Sequence, residues 1–215
     1  MNAVLNKQPR TKPSNVRREE LLLSAERLFV EQGVTATSVD DIVAGASVAK
    51  GTFYLYFASK DEMLAALREK YGQSGRARME EAMAECAADD WLGKIDAWVA
   101  AGVNAYLDHL RLHDVLFHQA GHHPRRSATK SDNQMVAALA ELIADGNRAR
   151  AWSVDDPRMT AMLLFHALHG AVDHAIARGE TAARHALIDV LRKFYRRALG
   201  AAALPLKKAK ARRKA

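Results

Sequence analysis

The feature that most constrains the fold of this chain is a close series of helix start and stop signals in its first third. Leucine, alanine and phenylalanine recur at three- and four-residue steps over residues 15–32, which predicts one amphipathic helix. Gly33 follows as a left-handed C-cap residue. A Thr-Ser-Val-Asp-Asp sequence ending at Asp41 carries the cap pattern that starts a second helix. We expect Gly45 to end that short helix and Ser47 to cap a third one.

These signals predict two short helices joined by a tight turn and braced by a longer helix, which is the arrangement of a helix-turn-helix. The third helix would be the recognition helix, because it has more polar and aromatic side chains than a structural helix needs. They are Lys50, Thr52, Tyr54 and, just beyond the helix, Tyr56. The capping box from Ser59 to Glu62 then starts a fourth helix. A helical subdomain without a role on DNA is the alternative interpretation.

The rest of the sequence also predicts helices. Apolar side chains recur at helical spacing after further start signals, which lie at Asp89 or Asp90, at Ser131, at Asp156-Pro157 and at Thr181. No segment shows a convincing alternation of apolar and polar residues, as a half-buried strand would. We therefore predict an all-α chain with about nine helices.

The positive charge is concentrated at the two ends of the chain. Residues 1–18 hold five lysines and arginines, residues 207–214 hold six, and neither stretch holds an acidic residue. Since the net charge of the whole chain is +7, subtracting these eleven leaves −4 for the residues between them. Basic arms of this kind are usually disordered and bind polyanions by counterion release. A solubilising tail without a specific contact is the alternative for the C-terminal run.

Membrane and secreted classes find no support in the sequence. There is no run of eighteen uncharged apolar residues, and the basic N-terminal stretch lacks the apolar segment of a secretory signal. Cys86 is the single cysteine, which excludes an internal disulfide and fits a reducing compartment. We expect a cytoplasmic protein with no membrane partner.

Catalytic and metal-binding motifs are missing as well. The sequence has no Gly-x-Ser-x-Gly, no glycine-rich phosphate loop after a strand and no zinc-protease motif, so we expect neither an enzyme nor a cofactor. His109 with His113, and His118 with His122, have the one-turn spacing of metal ligands. Because no cysteine or acidic cluster accompanies them, we expect no metal site. Cys86 is expected to pack as a small apolar residue, with thiol sensing as the alternative.

One long motif relates residues 16–64 to a known family. The matching positions are Leu22, Ala25, Leu28, Phe29, Gly33, Thr37-Ser38-Val39, Asp41-Ile42, Ala46, Val48, the run from Lys50 to Phe57 and the run from Ser59 to Leu64. In these residues the chain resembles the DNA-binding domain of the TetR family of transcriptional regulators. The motif covers only about a quarter of the chain. The remaining residues resemble the family in helix number and length alone.

The resemblance implies which residues would contact DNA. The set is Thr37, Ser38, Ser47, Lys50, Gly51, Thr52, Tyr54, Tyr56 and Lys60. Of these, Lys50, Gly51, Tyr54 and Tyr56 would face the major groove. Phosphates would be held by Thr52, Tyr54 and Lys60, and by backbone groups near Thr37 and Ser38. Asp40 departs from the pattern, because many members have a basic or neutral polar residue there; an acid could cap its helix or accept from a cytosine amine, but it cannot bind a phosphate.

The resemblance also implies a homodimer on an inverted-repeat operator, with half-sites roughly 34–36 Å apart. The implied dimer residues are Met162, His166, His169, Leu191, Phe194 and Tyr195 in the last two helices. An effector pocket is implied in the helical body, and its candidate walls are Trp98, Tyr106, Phe117, His118, Trp152 and Phe165. This largely aromatic set favours an apolar or aromatic small molecule. For both sets the alternative is packing inside the chain's own core.

Taken with the resemblance, the sequence predicts four parts. They are a basic disordered arm over 1–14, a helix-turn-helix domain over 15–62, a helical effector-binding and dimerisation domain over 63–200, and a basic Lys/Ala-rich tail over 201–215. We expect a regulator that binds double-stranded DNA, and a repressor that a small-molecule effector releases from its operator. A nucleic-acid packaging protein and a ligand-binding or enzymatic bundle with a vestigial helix-turn-helix are the alternatives. Neither the effector, the operator nor the choice between repression and activation follows from the sequence.

Overall fold

The computed structural model describes residues 13–119 and 130–201 of the chain. The backbone alone is described for His118 and Gln119. Most of the predicted basic arm, nearly all of the basic tail, and His122 lie outside the described residues. Within those residues the chain is all-α, with no strand, which confirms the predicted fold class.

Nine α-helices make up the described part of the chain. They are α1 (Ser14–Gln32), α2 (Val39–Gly45), α3 (Lys50–Tyr56), α4 (Lys60–Ala84), α5 (Trp91–Asp108), α6 (Leu110–Asp114), α7 (Lys130–Arg148), α8 (Pro157–Ala177) and α9 (Arg184–Ala198). A π-helical turn, Val115–Gln119, follows α6, and a 3₁₀ turn, Thr181–Ala183, precedes α9. None of these helices combines the length and the apolar character that crossing a bilayer requires.

The helices form two compact units. Unit 1 contains α1, α2, α3, α6 and the first part of α4, up to Ser74, while unit 2 contains α5, α7, α8, α9 and the rest of α4. The domain boundaries expected from the sequence at residues 14, 62 and 200 concern independently folding segments, and they stay a prediction.

Several helix ends follow the start and stop signals in the sequence. Ser38 caps α2 through a complete capping box with Asp41, and Asp156 caps α8 by accepting from the Met159 N–H at 2.9 Å. Gly33 ends α1 with φ +85°, and its N–H donates to the Phe29 carbonyl at 2.9 Å. Short polar side chains therefore fix where these helices begin, as the sequence predicts.

The predicted cap of the third helix is wrong. Ala49, not Ser47, is the N-cap residue of α3, and Ser47 adopts φ +54° in the turn before it. The α2–α3 turn is closed by backbone hydrogen bonds, from Ser47 N–H to the Ala44 carbonyl and from Val48 N–H to the Val43 carbonyl, both at 3.0 Å. The turn thus takes its shape from backbone bonding and from one left-handed serine rather than from a side-chain cap.

The core of unit 1 fixes α2 and α3 to α1. Its fully buried side chains include Leu21, Phe29, Ile42, Phe53 and Met63. Burying each such side chain contributes about 1.5–3 kcal/mol to folding. Because these residues come from four different helices, the position of the α2–α3 pair is set by packing on α1 and α4.

Gly45 has a packing role besides ending α2. A Cβ built at Gly45 would lie 2.3 Å from the Ser24 hydroxyl oxygen of α1. That hydroxyl donates to the Ile42 carbonyl at 2.9 Å. A glycine at this position therefore lets α1 and α2 approach closely enough for a buried side chain of one to bond the backbone of the other.

The core of unit 2 packs α5, α7, α8 and α9 together. Trp98 of α5 lies against Tyr195 of α9 with ring centroids 5.9 Å apart, and the Tyr195 hydroxyl donates to the Leu164 carbonyl of α8. Burial raises the pKa of Tyr195 well above its usual value, so this phenol stays neutral and remains a donor. Asp96 of α5 pairs with Arg196 of α9 at the rim of this core.

Candidate nucleic-acid interface

Helix α3 has one buried side and one open side. Phe53 and Phe57 enter the core of unit 1, with ring centroids 5.7 Å apart. Each residue of an α-helix turns about 100°, so Leu55 lies on nearly the opposite side of the helix from Phe53, and Phe57 is the extended C-cap residue just after the helix. Leu55 is 79% exposed and Tyr54 is 54% exposed. The open side of α3 is therefore accessible to solvent or to a partner.

The residues of α3 predicted to contact DNA, four in the major groove and Thr52 on a phosphate, fall into two groups. Lys50, Gly51 and Tyr54 are exposed on α3, and Thr52 and Tyr56 are half-buried. Nothing lies within 4 Å of a Cβ built at Gly51, so no packing inside the chain requires a glycine there. The structure thus brings three of the predicted residues to one surface and leaves two at its margin.

Asp40 and Lys50 form an ion pair between α2 and α3. The Lys50 Nζ lies 2.9 Å from Asp40 Oδ1 and 3.0 Å from Oδ2, so it bridges both carboxylate oxygens. The hydrogen bond to Asp40, and then its charge, raise the pKa of Lys50. Asp40 does not close the capping box of α2, a role that Asp41 fills. The unusual acid therefore holds the first side chain of the recognition helix.

The start of α2 is already occupied by an anion of the chain itself. The Asp41 carboxylate accepts from the Ser38 backbone N–H at 2.8 Å and from the Ser38 hydroxyl at 2.6 Å. The side-chain bond and then the backbone bond from Ser38 lower the pKa of Asp41. Thr37 is buried, and its hydroxyl donates to the Gly33 carbonyl at 2.8 Å. Its side chain therefore has no free donor for a phosphate, although its backbone is not excluded.

Lys60 is placed differently from its expected role on a phosphate. Its Nζ donates to the Val34 carbonyl at 2.7 Å and to the Thr37 carbonyl at 2.8 Å. These carbonyls belong to the segment between α1 and α2. At the first residue of α4, the ammonium group thus closes that turn, and at most one N–H is left for an external anion.

One residue and one ion pair of this surface were missed by the sequence reasoning. Leucine is usually a core residue, so Leu55 was not singled out although it is exposed. The partner of Asp40 was missed because ten residues separate it from Lys50, and only the α2–α3 turn brings them together. The spacing of Leu55 from Phe53 and Phe57 was the signal that could have found the first.

The predicted effector walls are divided between the two units. Trp98, Tyr106, Trp152 and Phe165 are buried in the core of unit 2, whereas Phe117 belongs to unit 1. Phe117 packs against Tyr71 there, with centroids 5.9 Å apart. Nothing is described of the His118 side chain. Within unit 2 the Trp152 indole donates to the Ile143 carbonyl at 2.8 Å, which is a core arrangement.

A polar group accompanies the aromatic residues of unit 2. The Tyr106 hydroxyl donates to Asp173 Oδ1 at 2.5 Å. His169 lies 4.2 Å from the Phe165 ring and donates from Nδ1 to the Phe165 carbonyl at 2.8 Å. His169, expected at the dimer interface, thus bonds inside unit 2. The aromatic side chains of this unit are accompanied by groups that can donate and accept hydrogen bonds.

The predicted dimer residues also separate into two sets. Leu191 and Tyr195 are buried in the core of unit 2, because they lie on the inner side of α9. Met162, His166 and Phe194 are exposed. Further exposed apolar side chains lie on the same two helices, and they are Met159, Leu163 and Val190. On α9, a dimer interface would therefore keep the predicted Phe194 and would use Val190 rather than Leu191 and Tyr195.

No group of three or more histidine, cysteine, aspartate or glutamate residues in the described ranges could hold a metal ion. His109 is exposed and His113 is buried, although they are one turn apart. The His113 ring stacks at 4.7 Å on Phe117. Of these two histidines, His113 therefore has a packing role, and His109 lies on the surface.

The fold and this surface define a class of protein. A short helix pair fixed on a longer helix, with an open recognition helix, is the arrangement of the helix-turn-helix DNA-binding proteins. The family model described as bacterial regulatory proteins of the tetR family matches residues 21–67. The model described as a tetracyclin repressor-like C-terminal domain matches residues 90–199. The chain belongs to the TetR family of DNA-binding transcriptional regulators.

Curated relatives match mainly the helix-turn-helix. The transcriptional repressor KstR2 of Mycobacterium tuberculosis is 50% identical over 50 residues, which are 23% of this chain and 25% of that protein. The repressor NemR of Escherichia coli is 28% identical over 92 residues, 43% of this chain and 46% of NemR. The chain therefore matches less than half of the length of these relatives.

Solved structures match over most of the chain. A TetR-family regulator from Pectobacterium atrosepticum has 26% identity and a TM-score of 0.68, covering 86% of this chain and 95% of that one. The regulator FadR from Bacillus subtilis, solved with stearoyl-CoA, has 20% identity and a TM-score of 0.63, covering 80% and 96%. At such identity the second likeness concerns the fold alone.

Proposed function

We propose that this regulator is a repressor that binds an inverted-repeat operator as a homodimer and leaves it when a small molecule binds unit 2. The observation that carries the proposal is the open side of α3, where Lys50, Gly51 and Tyr54 are exposed together. Donors on such a helix match the acceptors at base edges and phosphates in the major groove. A regulator of this kind acts on chromosomal DNA, and we therefore place its action in the cytoplasm.

The proposed homodimer uses the exposed apolar stripe of α8 and α9. Along α8, Met162, Leu163 and His166 lie three, four and seven residues after Met159, which puts all four on one side of the helix. Val190 and Phe194 are one turn apart on α9. Two copies of this stripe can bury each other about a two-fold axis, and a two-fold dimer matches an inverted repeat.

The proposed effector is an apolar or aromatic small molecule with at least one hydrogen-bonding group. Aromatic side chains are abundant in unit 2, and Tyr106, His169 and Asp173 add polar groups beside them. FadR of Bacillus subtilis, which shares this fold, was solved with stearoyl-CoA, an apolar chain with a polar head. Release from DNA requires that the effector bind the DNA-incompetent arrangement more tightly than the competent one.

Selection of genomic fragments by the purified protein tests the DNA-binding part of the proposal. The selection is made at about 150 mM salt, which suppresses sequence-independent binding through basic arms. We expect one short inverted repeat to be enriched. Fragments without a common sequence would contradict the proposed operator binding and favour a packaging protein.

The Tyr54→Phe variant tests the proposed face of α3. Since the Tyr54 side chain is exposed, the variant should fold normally and bind the selected operator about threefold to tenfold more weakly, as the loss of one hydrogen bond predicts. Ser153→Ala, which removes one exposed hydroxyl between α7 and α8 and lies outside the proposed dimer stripe, is the control and should not alter operator affinity. Unchanged affinity of Tyr54→Phe would exclude a contact of this hydroxyl with DNA.

A further inference from the structure

Leu55 is the most exposed large apolar side chain in the described part of the chain. Its exposed fraction is 79%, against 53% for Leu23 of α1 and 62% for Val190 of α9. Leaving a leucine in water forgoes about 1.5–3 kcal/mol that its burial would contribute. The fold of unit 1 gains nothing in return, because the α3 core contacts come from Phe53 and Phe57 on the other side of the helix.

Gly51 lies one turn before Leu55 on the same side of α3. Its helix position needs no left-handed backbone, and the space around its missing Cβ is empty. A glycine inside a helix is less stable than an alanine by roughly 0.5–1 kcal/mol. Bare backbone at one position and an unsupported leucine at the next turn therefore form a narrow strip that the chain itself does not use. We call this strip, Gly51 and Leu55, the open strip of α3.

The neighbours of the open strip identify what it can bind. Lys50 and Tyr54, each one residue before a member of the strip, offer an ammonium group and a hydroxyl. An apolar protein partner would need a wider apolar patch than one leucine. The major groove of DNA, by contrast, presents polar base edges interrupted by a single kind of apolar group, the 5-methyl group of thymine. Because Gly51 has no side chain, the backbone of α3 could approach the floor of the groove closely enough for Leu55 to reach a thymine methyl group.

We propose that Leu55 contacts the 5-methyl group of one thymine in each half-site and makes the regulator select thymine at that position. The contact removes apolar surface of the leucine and of the methyl group from water. This inference rests on the proposed binding of an inverted repeat. It adds a residue that determines specificity to the donors already placed on α3.

Replacement of thymine by deoxyuridine tests the contact directly, since it removes the methyl group and leaves base pairing unchanged. Each thymine of the selected operator is replaced in turn, symmetrically in both half-sites, and the dissociation constant is measured by fluorescence anisotropy. For the unaltered protein we expect one position at which affinity falls about fourfold per half-site, or about fifteenfold for both, the effect of one lost buried methyl each. At the other thymines we expect smaller changes.

Two variants complete the experiment. Leu55→Ala should bind the thymine operator more weakly than the unaltered protein and should not distinguish thymine from deoxyuridine at the sensitive position. Leu23→Ala, the same truncation at an exposed leucine of α1, should retain the discrimination. Thermal unfolding should be unchanged for both, because neither side chain is buried.

The possible failures are distinguishable. If an inverted repeat is selected but no deoxyuridine substitution weakens binding, or if Leu55→Ala keeps the full discrimination, the thymine contact is refuted while the proposed function stands. A half-site without thymine refutes the contact equally. If no inverted repeat is selected at all, the proposed function fails, and the thymine contact fails with it.

Discussion

Two lysines at the residue scale direct their ammonium groups to different kinds of oxygen. Lys50 bonds the Asp40 carboxylate on the surface, and Lys60 bonds the Val34 and Thr37 carbonyls at the turn between α1 and α2. The first pair is exposed on both sides and contributes little to stability. The second arrangement satisfies backbone carbonyls, so removing it should lower the stability of unit 1.

The Asp40→Asn variant should strengthen sequence-independent binding. In the present chain, the Asp40 carboxylate pairs with the Lys50 ammonium and balances its charge. The uncharged amide of the variant would leave the full positive charge of Lys50 available to a phosphate. We expect the logarithm of the binding constant to fall more steeply with the logarithm of salt concentration, by roughly 0.9, the value of one added phosphate contact. Binding is measured on DNA without the operator over a range of salt concentrations.

Glu31→Gln is the matched control for Asp40→Asn. Glu31 is also an exposed acid of unit 1 paired with a basic residue, Arg27 at 2.9 Å, so this variant makes the same charge change. An equal increase in salt dependence for both variants would show a general effect of net charge and contradict a specific release of Lys50.

Lys60→Ala should destabilise unit 1. Two carbonyls lose a charged donor, and we expect the free energy of unfolding to fall by about 1–2 kcal/mol, since hydrogen bonds to charged groups are stronger than neutral ones. Denaturant unfolding of the purified protein gives this value. Lys70→Ala is the control, because Lys70 of the same helix forms a half-exposed pair with Glu19 that should contribute less.

A different outcome for Lys60→Ala would restore the role expected from the sequence. If stability is unchanged and operator binding falls, Lys60 acts on a phosphate rather than on the turn.

Among the helical elements, those that begin with a local polar cap were predictable from the sequence. Ser38 and Asp156 interact with residues three positions away, and such patterns are visible in the chain. The α2–α3 turn was predicted, but its backbone geometry was not predictable, because its left-handed residue is Ser47 rather than a glycine. The Lys60 bonds join positions 23 and 26 residues apart, and only tertiary packing brings these together. The buried side of α9 was also not predictable, because apolar residues lie on both sides of this helix.

Gly45→Ala should destabilise the α1–α2 packing. The added methyl group would lie 2.3 Å from the Ser24 hydroxyl oxygen, which is fixed by its bond to the Ile42 carbonyl. We expect the free energy of unfolding to fall by about 1–3 kcal/mol, the usual effect of overpacking. Calorimetry or denaturant unfolding measures it. Adding Ser24→Ala removes the clashing oxygen, so the double variant should lose less than the sum of the two single effects.

Gly51→Ala should have the opposite effect on stability. Its methyl group meets no atom of the chain, and alanine favours the helix, so the melting temperature should be unchanged or slightly higher. Operator affinity should nevertheless fall, because the methyl group would hold α3 away from the base edges. Unaltered affinity in the anisotropy titration would mean that the backbone at Gly51 does not approach DNA closely.

At the scale of the whole molecule, the exposed stripe of α8 and α9 should determine the oligomeric state. Phe194→Glu places a charge among apolar side chains that the proposed dimer buries, while the exposed side chain leaves the fold of one protomer intact. We expect sedimentation velocity to change from dimer to monomer and operator affinity to fall, since a monomer contacts one half-site. Leu23→Glu on α1 is the control. A Phe194→Glu protein that remains a dimer would move the interface elsewhere.

The open position of Leu55 also bears on how such regulators diversify over generations. A mutation at Phe53 or Phe57 would damage the core, whereas a mutation at codon 55 would leave folding intact. After a gene duplication, one copy can therefore drift at this codon while the other keeps the ancestral target. Under the proposed thymine contact, each new side chain would offer selection a changed set of promoters, so Leu55 is a position at which target choice can change while the fold is kept.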